Sequence, residues 1–257
     1  MVEAFAVASG KGGTGKTTAT LALGMALAEE HDVTIVDADT GMANLLFHAG
    51  LEDVETTLHD LLMAERDVPV EKAVYDRHGL SVVPCGTSLA DFESAEPERL
   101  REVVAILAEN TDVLLLDSPA ALGSKSAVLP IVLADRVLPV LAPTIPALSD
   151  GLKVQEYASS YGTGTGGVLF NKVREESRMD TVVDRTERYF DGPVLGTVPE
   201  CSAPHQARAA GKPLLSYAPS SPAAVAFTEA ASELTIESGD SAAVAERFKS
   251  AVVPDRP

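Results

Sequence analysis

The stretch Ala8-Ser9-Gly10-Lys11-Gly12-Gly13-Thr14-Gly15-Lys16-Thr17-Thr18 limits what this chain can fold into. It carries G-x-x-x-x-G-K-[ST] as Gly10, Gly15, Lys16 and Thr17. The apolar run Val2 to Ala8 before it reads as a buried strand, and Thr17 to Glu30 reads as a helix. Strand, glycine loop and helix in that order turn the pattern into a phosphate site. Glycines leave room for backbone N–H groups to converge on phosphate oxygens, and the helix N-terminus adds partial positive charge. In that frame Gly10, Gly12, Gly13, Thr14, Gly15 and Thr18 cradle the phosphates. Lys16 reaches the β- and γ-phosphates, and the Thr17 hydroxyl ligates Mg²⁺.

Two later apolar runs end in carboxylates. Val33 to Val36 runs into Asp37-Ala38-Asp39, and Val113 to Leu116 runs into Asp117-Ser118-Pro119-Ala120. Open α/β sheets bind ligands at the carboxyl ends of their strands, so both runs deliver acids beside the glycine loop. Asp117 is placed to hold Mg²⁺ through a water. Asp37 has two readings, a turn or capping residue and a carboxylate of the site. Further strands read at Leu80–Pro84, Asp135–Pro143, Val168–Phe170 and Pro193–Glu200. Helices read at Ser94–Asn110 and Ala147–Tyr161, the latter with Asp150 in its first turn. Strands alternating with helices predict an α/β fold with one doubly wound, mostly parallel sheet in three layers. The phosphate-binding (P-loop) domain is assigned to residues 1–237, and 238–257 to a linker and a short tail. In that tail Val244, Phe248 and Val252 fall four apart on one helical face. The histidines, His59 among them, lack metal-ligand spacing, and Cys85 and Cys201 form no C-x-x-C pair. Arg174, Arg178, Arg185 and Arg188 read as solvated face charges.

Lys11 is one lysine more than a phosphate loop needs. Lys11-Gly12-Gly13-Thr14-Gly15-Lys16-Thr17 resembles the deviant Walker A loop of the MinD and ParA ATPases, K-G-G-x-G-K-[ST]. The D-x-D pair with Gly41, Asn44 and Leu45 resembles that family's first switch, and residues 118–126 its second. Asp117-Ser118-Pro119-Ala120 is nearer to MinD than to ParA. The resemblance implies ATP/ADP and Mg²⁺ as cofactors and a homodimer in the ATP state, with Lys11 crossing to the partner's nucleotide. It implies that Asp39, near the metal, orients the attacking water, with Asn44 supporting the switch. Asn171 of Asn171-Lys172-Val173 would read adenine, bordered by Pro199 and Glu200. The implied activity is slow, dimerisation-dependent ATP hydrolysis driving a positional switch with an unidentified protein partner or cargo. A ParA-like partitioning ATPase and an ATP-binding module with little turnover stay open as alternatives.

Charge bears on partners. There are 38 acidic residues against 20 basic, a net charge of −18, and eight of the basic residues are lysines. An acidic surface poor in lysine suits high salt and points to a halophilic source. It opposes nucleic-acid binding. No apolar stretch is long enough to span a membrane, no secretory signal opens the chain, and the tail is too short for more than weak membrane contact. The expected location is cytoplasmic, with a peripheral position at the inner membrane face or cell pole open.

Overall fold

The computed structural model describes residues 2–120, 123–174, 179–237 and 239–251. Strand β1 (Glu3–Ala8) leads through the glycine loop into α1 (Lys16–Leu27) and β2 (Val33–Asp37). Two short helices, α2 (Leu45–Ala49) and α3 (Leu58–Leu62), precede β3 (Tyr75–Arg77) and β4 (Leu80–Val83). Next come α4 (Leu89–Ser94), α5 (Leu100–Leu107), β5 (Val113–Asp117), α6 (Lys125–Leu133) and β6 (Arg136–Leu141). Then follow α7 (Ile145–Ser160), β7 (Gly164–Thr165), β8 (Val168–Val173), α8 (Met179–Tyr189) and β9 (Val194–Pro199). Helices α9 (Ala203–Ala209), α10 (Leu214–Tyr217), α11 (Pro222–Ser232) and α12 (Ser241–Ser250) complete the described chain.

The strands form one sheet in the order β3-β4-β2-β5-β1-β6-β8-β9, with β7 beside β6. All described pairings are parallel except β3 with β4. Strand β1 lies at the centre, where the order reverses, and this switch point is where such sheets bind ligands. The two faces of β1 bury different residues. Phe5 and Val7 pack with α1 and α11, while Ala6 and Ala8 pack under Ile131 of α6 and Val154 and Ala158 of α7. The sheet is thus sandwiched between helical layers, as the alternation of elements predicted.

Some boundaries differ from the sequence reading. The helix expected over Ser94–Asn110 is interrupted before α5, because Pro97 lacks an N–H and drives Glu96 out of the helical region, to φ −99, ψ 99. Helix α7 begins two residues early, at Ile145 behind the Thr144 cap, so Asp150 falls in the second turn rather than the first. Strand β8 continues through Asn171 to Val173 instead of stopping at Phe170. Arg178, Val252, Val253 and part of the second switch lie outside the described residues.

Helix α12 packs its apolar face on the sheet's other layer, with Val244, Ala245 and Phe248 buried among Val2, Ala4 and residues of α5. Polar ties hold this region together. Asp135 accepts from the Ala4 N–H at 2.8 Å and pairs with Arg247 at 2.6 Å. Buried Glu3 pairs with Arg136 at 2.6 Å, and Arg136 reaches the Thr235 carbonyl at 2.5 Å. No described helix is long and apolar enough to cross a membrane.

Candidate functional site

The carboxyl ends of β1, β2 and β5 meet in register. Val7 and Asp37 both stand opposite Asp117. The loop leaving β1 turns through Gly13 at φ +76 and Gly15 at φ +92, left-handed conformations that favour glycine. Protein contacts impose two of the glycines independently of any phosphate. A Cβ on Gly10 would lie 2.2 Å from Asp150 Cβ, and one on Gly15 would lie 2.4 Å from Asn171 Nδ2.

A cleft of about 480 Å³ opens over this loop. At one end it is lined by Gly12, Gly13, Gly15, Lys16, Thr17, Thr18 and Asp39, and at the other by Asn171, Pro199, Glu200 and Cys201. The structure therefore gathers most of the sequence-predicted residues around one space. Gly10, Lys11, Thr14 and Asp117 stand outside its lining. Gly10 lies against α7, and Asp117 is buried behind Lys16 and Thr17. A second concavity of about 490 Å³, lined by Asp32, Asp76, His78 and Thr111 among others, lies at the opposite edge of the sheet, away from the loop.

Electrostatics separate the two ends. Lys16 is buried, and desolvation lowers its pKa while Asp117 and Asp39 work against the shift. Burial raises the Asp117 carboxyl to about 6, opposed by the Thr17 hydroxyl, Lys16 and the Thr20 hydroxyl. Burial, reinforced by Asp117, holds Asp37 well above the usual carboxylate range. Asp37 bears out the capping reading offered for it. Its Oδ2 accepts the N–H groups of Asn44 and Leu45 at 3.2 and 3.1 Å, tying down the start of α2. Its Oδ1 is buried with no hydrogen-bond partner among the described residues. A desolvated carboxyl oxygen opposite Asp117, whose own carboxyl meets the Thr17 hydroxyl, suits a hydrated Mg²⁺ on a polyphosphate. Such an ion takes one or two carboxylates and keeps several waters. No cluster of three or more His, Cys, Asp or Glu side chains able to hold a metal unaided occurs among the described residues.

At the far end, Asn171 Nδ2 donates to the Thr14 carbonyl at 2.8 Å, and its Oδ1 accepts from the Lys172 N–H at 2.9 Å. Each of these groups keeps capacity for one more hydrogen bond, so the amide can still face a base. The Glu200 N–H donates to the Val173 carbonyl at 2.9 Å, and the Glu200 carboxylate pairs with Arg174. Arg174 is thus one expected face charge that has a partner. Lys11 does not turn into the cleft. Its ammonium lies 3.1 Å from Asp150 Oδ2, its side chain is half exposed, and Lys153 shares the same carboxylate.

Two contributors were missed in the sequence. The Thr20 hydroxyl, one turn after Lys16, donates to Asp117 Oδ1 at 3.2 Å. Its i+4 spacing from the loop lysine was the available signal. Lys172 at φ +59 reaches the Gly13 carbonyl with its ammonium at 2.7 Å. No local pattern announces that contact.

A doubly wound parallel sheet, a glycine loop at its switch point and two strand-end aspartates behind a loop lysine and threonine define a P-loop nucleotide-binding protein. The chain belongs to the CobQ/CobB/MinD/ParA nucleotide binding domain family, whose pattern matches residues 5–214. It is 40% identical over 236 residues to an uncharacterized ATP-binding protein of Methanocaldococcus jannaschii, covering 91% of this chain and 88% of that one. It is 36% identical over 168 residues to the septum site-determining protein MinD of Thermotoga maritima, covering 63% of this chain and 60% of that one. Among solved structures it resembles the MinD of Pyrococcus horikoshii complexed with Mg-ADP, with a TM-score of 0.82 and 33% identity. That likeness covers 91% of this chain and 96% of the other.

Proposed function

We propose that this protein is a Mg²⁺-dependent ATPase that passes between a monomer and an ATP-sandwiched homodimer and serves as a positional switch. One observation carries the reading. Lys11 stands at the rim of the cleft with its side chain half exposed, held by Asp150 and turned away from the phosphate loop of its own chain. A cation so placed is available to a second subunit facing the cleft.

The residues divide the work as follows. Backbone N–H groups from Gly12 to Thr18 bind the phosphates, and Lys16 neutralises charge on the β- and γ-oxygens. Thr17 directly, and Asp117 through water, would hold Mg²⁺, which supplies further neutralisation of the transferring phosphoryl group. Asp37, with its free oxygen, joins that outer set. Asp39 lines the cleft beside this group and orients the attacking water. Asn171, Pro199 and Glu200 take the adenine. Lys11 from the second subunit acts as an arginine finger does, an effect on the order of 10³-fold or more on rate. Hydrolysis then waits for dimerisation, and the two states present different surfaces to a protein partner. The Mg-ADP held by the Pyrococcus horikoshii MinD and the MinC:MinD complex of Aquifex aeolicus, 28% identical to this chain, support the nucleotide and a protein partner.

The test is molar mass in solution with ATP and Mg²⁺ for wild type, Asp39→Ala and Lys11→Ala. A dimer that accumulates in Asp39→Ala and disappears in Lys11→Ala supports the switch. Monomers throughout, with ATP bound, refute the trans-acting lysine.

A further inference from the structure

His59 has no place in the mechanism above, yet it touches the segment that carries Asp39. It lies on α3 and is 1% exposed. Its Nε2 stands 3.1 Å from the Thr40 carbonyl oxygen, the residue directly after Asp39. A carbonyl only accepts, so Nε2 carries the proton and donates, and burial pushes the imidazole pKa down, which favours the neutral ring. Nδ1 then presents a lone pair, and it is buried with no hydrogen-bond partner among the described residues. The imidazole is therefore committed to one hydrogen bond, and that bond goes to switch backbone.

The ring's own position is over-determined. Helix α3 is fixed by the Thr57 capping box with Asp60 and by the Leu58 N–H donating to the Pro84 carbonyl at 2.8 Å. A Cβ on Gly86 would sit 3.1 Å from His59 Nδ1, so glycine there lets the loop after β4 close over the ring. Phe92 of α4 meets the imidazole edge-on, with centroids 6.4 Å apart and planes at 66°. A Cβ on Gly41, two residues beyond Asp39, would meet the same Phe92 ring at 3.7 Å.

The segment itself has few other restraints. The Ala38 N–H donates to the Asp117 carbonyl at 3.0 Å, which ties its start to the sheet. Asp37 accepts the Asn44 and Leu45 N–H groups at its end. Between them, the Met42 N–H bonds only within the turn, to Asp39 Oδ1 at 3.0 Å. The Thr40 hydroxyl is buried without a partner among the described residues. Among the described residues, His59 is thus the side chain from outside the segment that hydrogen-bonds the Thr40 carbonyl, beside the Phe92 ring.

We propose that His59 is a positioning residue for Asp39: its neutral imidazole holds the Thr40 carbonyl and so presets the switch backbone before nucleotide arrives. The role given to Asp39 rests on the function proposed above, whereas the restraint on Thr40 does not. The experiment compares full-length wild type, His59→Met and His59→Gln. Met keeps most of the volume and removes the donor, and Gln restores an amide donor near the Nε2 position. Amide hydrogen exchange without nucleotide is followed over residues 39–44, with β5 as the folding control, beside kcat, KM and ADP affinity.

The expected result for His59→Met is exchange faster on the order of tenfold over 39–44 with β5 unchanged, the scale of one lost hydrogen bond. Its kcat falls by a similar factor while ADP affinity stays within about threefold, and His59→Gln recovers both signals. Unchanged exchange over 39–44 in His59→Met overturns the proposal, and so does equal impairment in Met and Gln, which would make the residue a packing element. If wild type fails to turn over ATP, the assignment of Asp39 fails, and the exchange comparison still decides the restraint on Thr40.

Discussion

Replacing Asp117 by Asn should stabilise the nucleotide-free protein. Asp117 is buried, and its carboxyl is raised from 3.8 to about 6, chiefly by desolvation. A difference of about two pH units is worth about 3 kcal/mol. The sign follows from linkage. The folded state keeps the proton to higher pH than the unfolded chain, so stability declines as pH climbs from about 4 to about 6 and stays lower above. Asn is close in shape, never ionises, and retains an oxygen for the Thr20 hydroxyl, now 3.2 Å from Oδ1. The gain is then up to about 3 kcal/mol at pH 7.5 and near nothing at pH 4. For a chain of this size that is a rise of roughly 6–12 °C in Tm. Thermal unfolding in chelator at pH 7.5 and pH 4.5 measures it. A second scan with saturating Mg-ADP should favour the wild type if, as proposed, the carboxylate that destabilises the empty fold serves the cation of the full one. An Asp117→Asn protein that melts at or below wild type in chelator at pH 7.5 would refute the reasoning.

Three further outcomes are expected. Gly10→Ala forces its Cβ within 2.2 Å of Asp150 Cβ and should cost about 1–3 kcal/mol along with nucleotide affinity; an unchanged melt and ADP titration would contradict it. Phe248→Ala should cost about 3–5 kcal/mol in urea unfolding, since the ring is 1% exposed, whereas a freely hanging helix would register no loss. Burial, with help from Arg208, lowers the His48 pKa to about 4, so the folded state resists the proton that the unfolded chain accepts near 6.5. His48 therefore removes stability as pH falls from about 6.5 toward 4. The His48→Gln protein should gain about 2 kcal/mol on wild type between pH 7 and pH 5, and a constant difference would count against the half-buried neutral ring.

The nucleotide end of the fold was readable because its signals are local. An apolar run, the glycines and an apolar helix lie within one stretch, and strands ending in Asp37 and Asp117 can only deliver them to one sheet edge. Helix ends were less readable where a single residue overrides periodicity, as Pro97 does before α5. Long-range facts were out of reach. Asp37 could be listed as a cap or a site carboxylate, and only the folded chain shows it opposite Asp117 and bonded to the start of α2. Gly10 read as room for phosphate, yet Asp150, far along the chain, independently requires it. The spacing of Val244 and Phe248 suits a lipid surface or a protein core equally, and contact with α5 and β1 decides for the core in this fold. His59 carried no pattern at all, since its partner is a backbone carbonyl.

The clasp around Glu3, Asp135 and Arg136 brings distant parts of the chain together. The Val2 N–H donates to the Gly239 carbonyl at 3.2 Å, at the end of β1 that faces away from the glycine loop. Residues 2 to 239 therefore close on themselves like a ring fastened on the far side from the cleft. A probe or tether attached beside that fastening travels with the rigid sheet and registers little of what happens at the rim. Tension applied between the two ends of the ring would strain the Val2–Gly239 fastening and the start of β1 before it reached the phosphate loop. To report on events at the cleft, a label belongs on the rim itself, at exposed Met42.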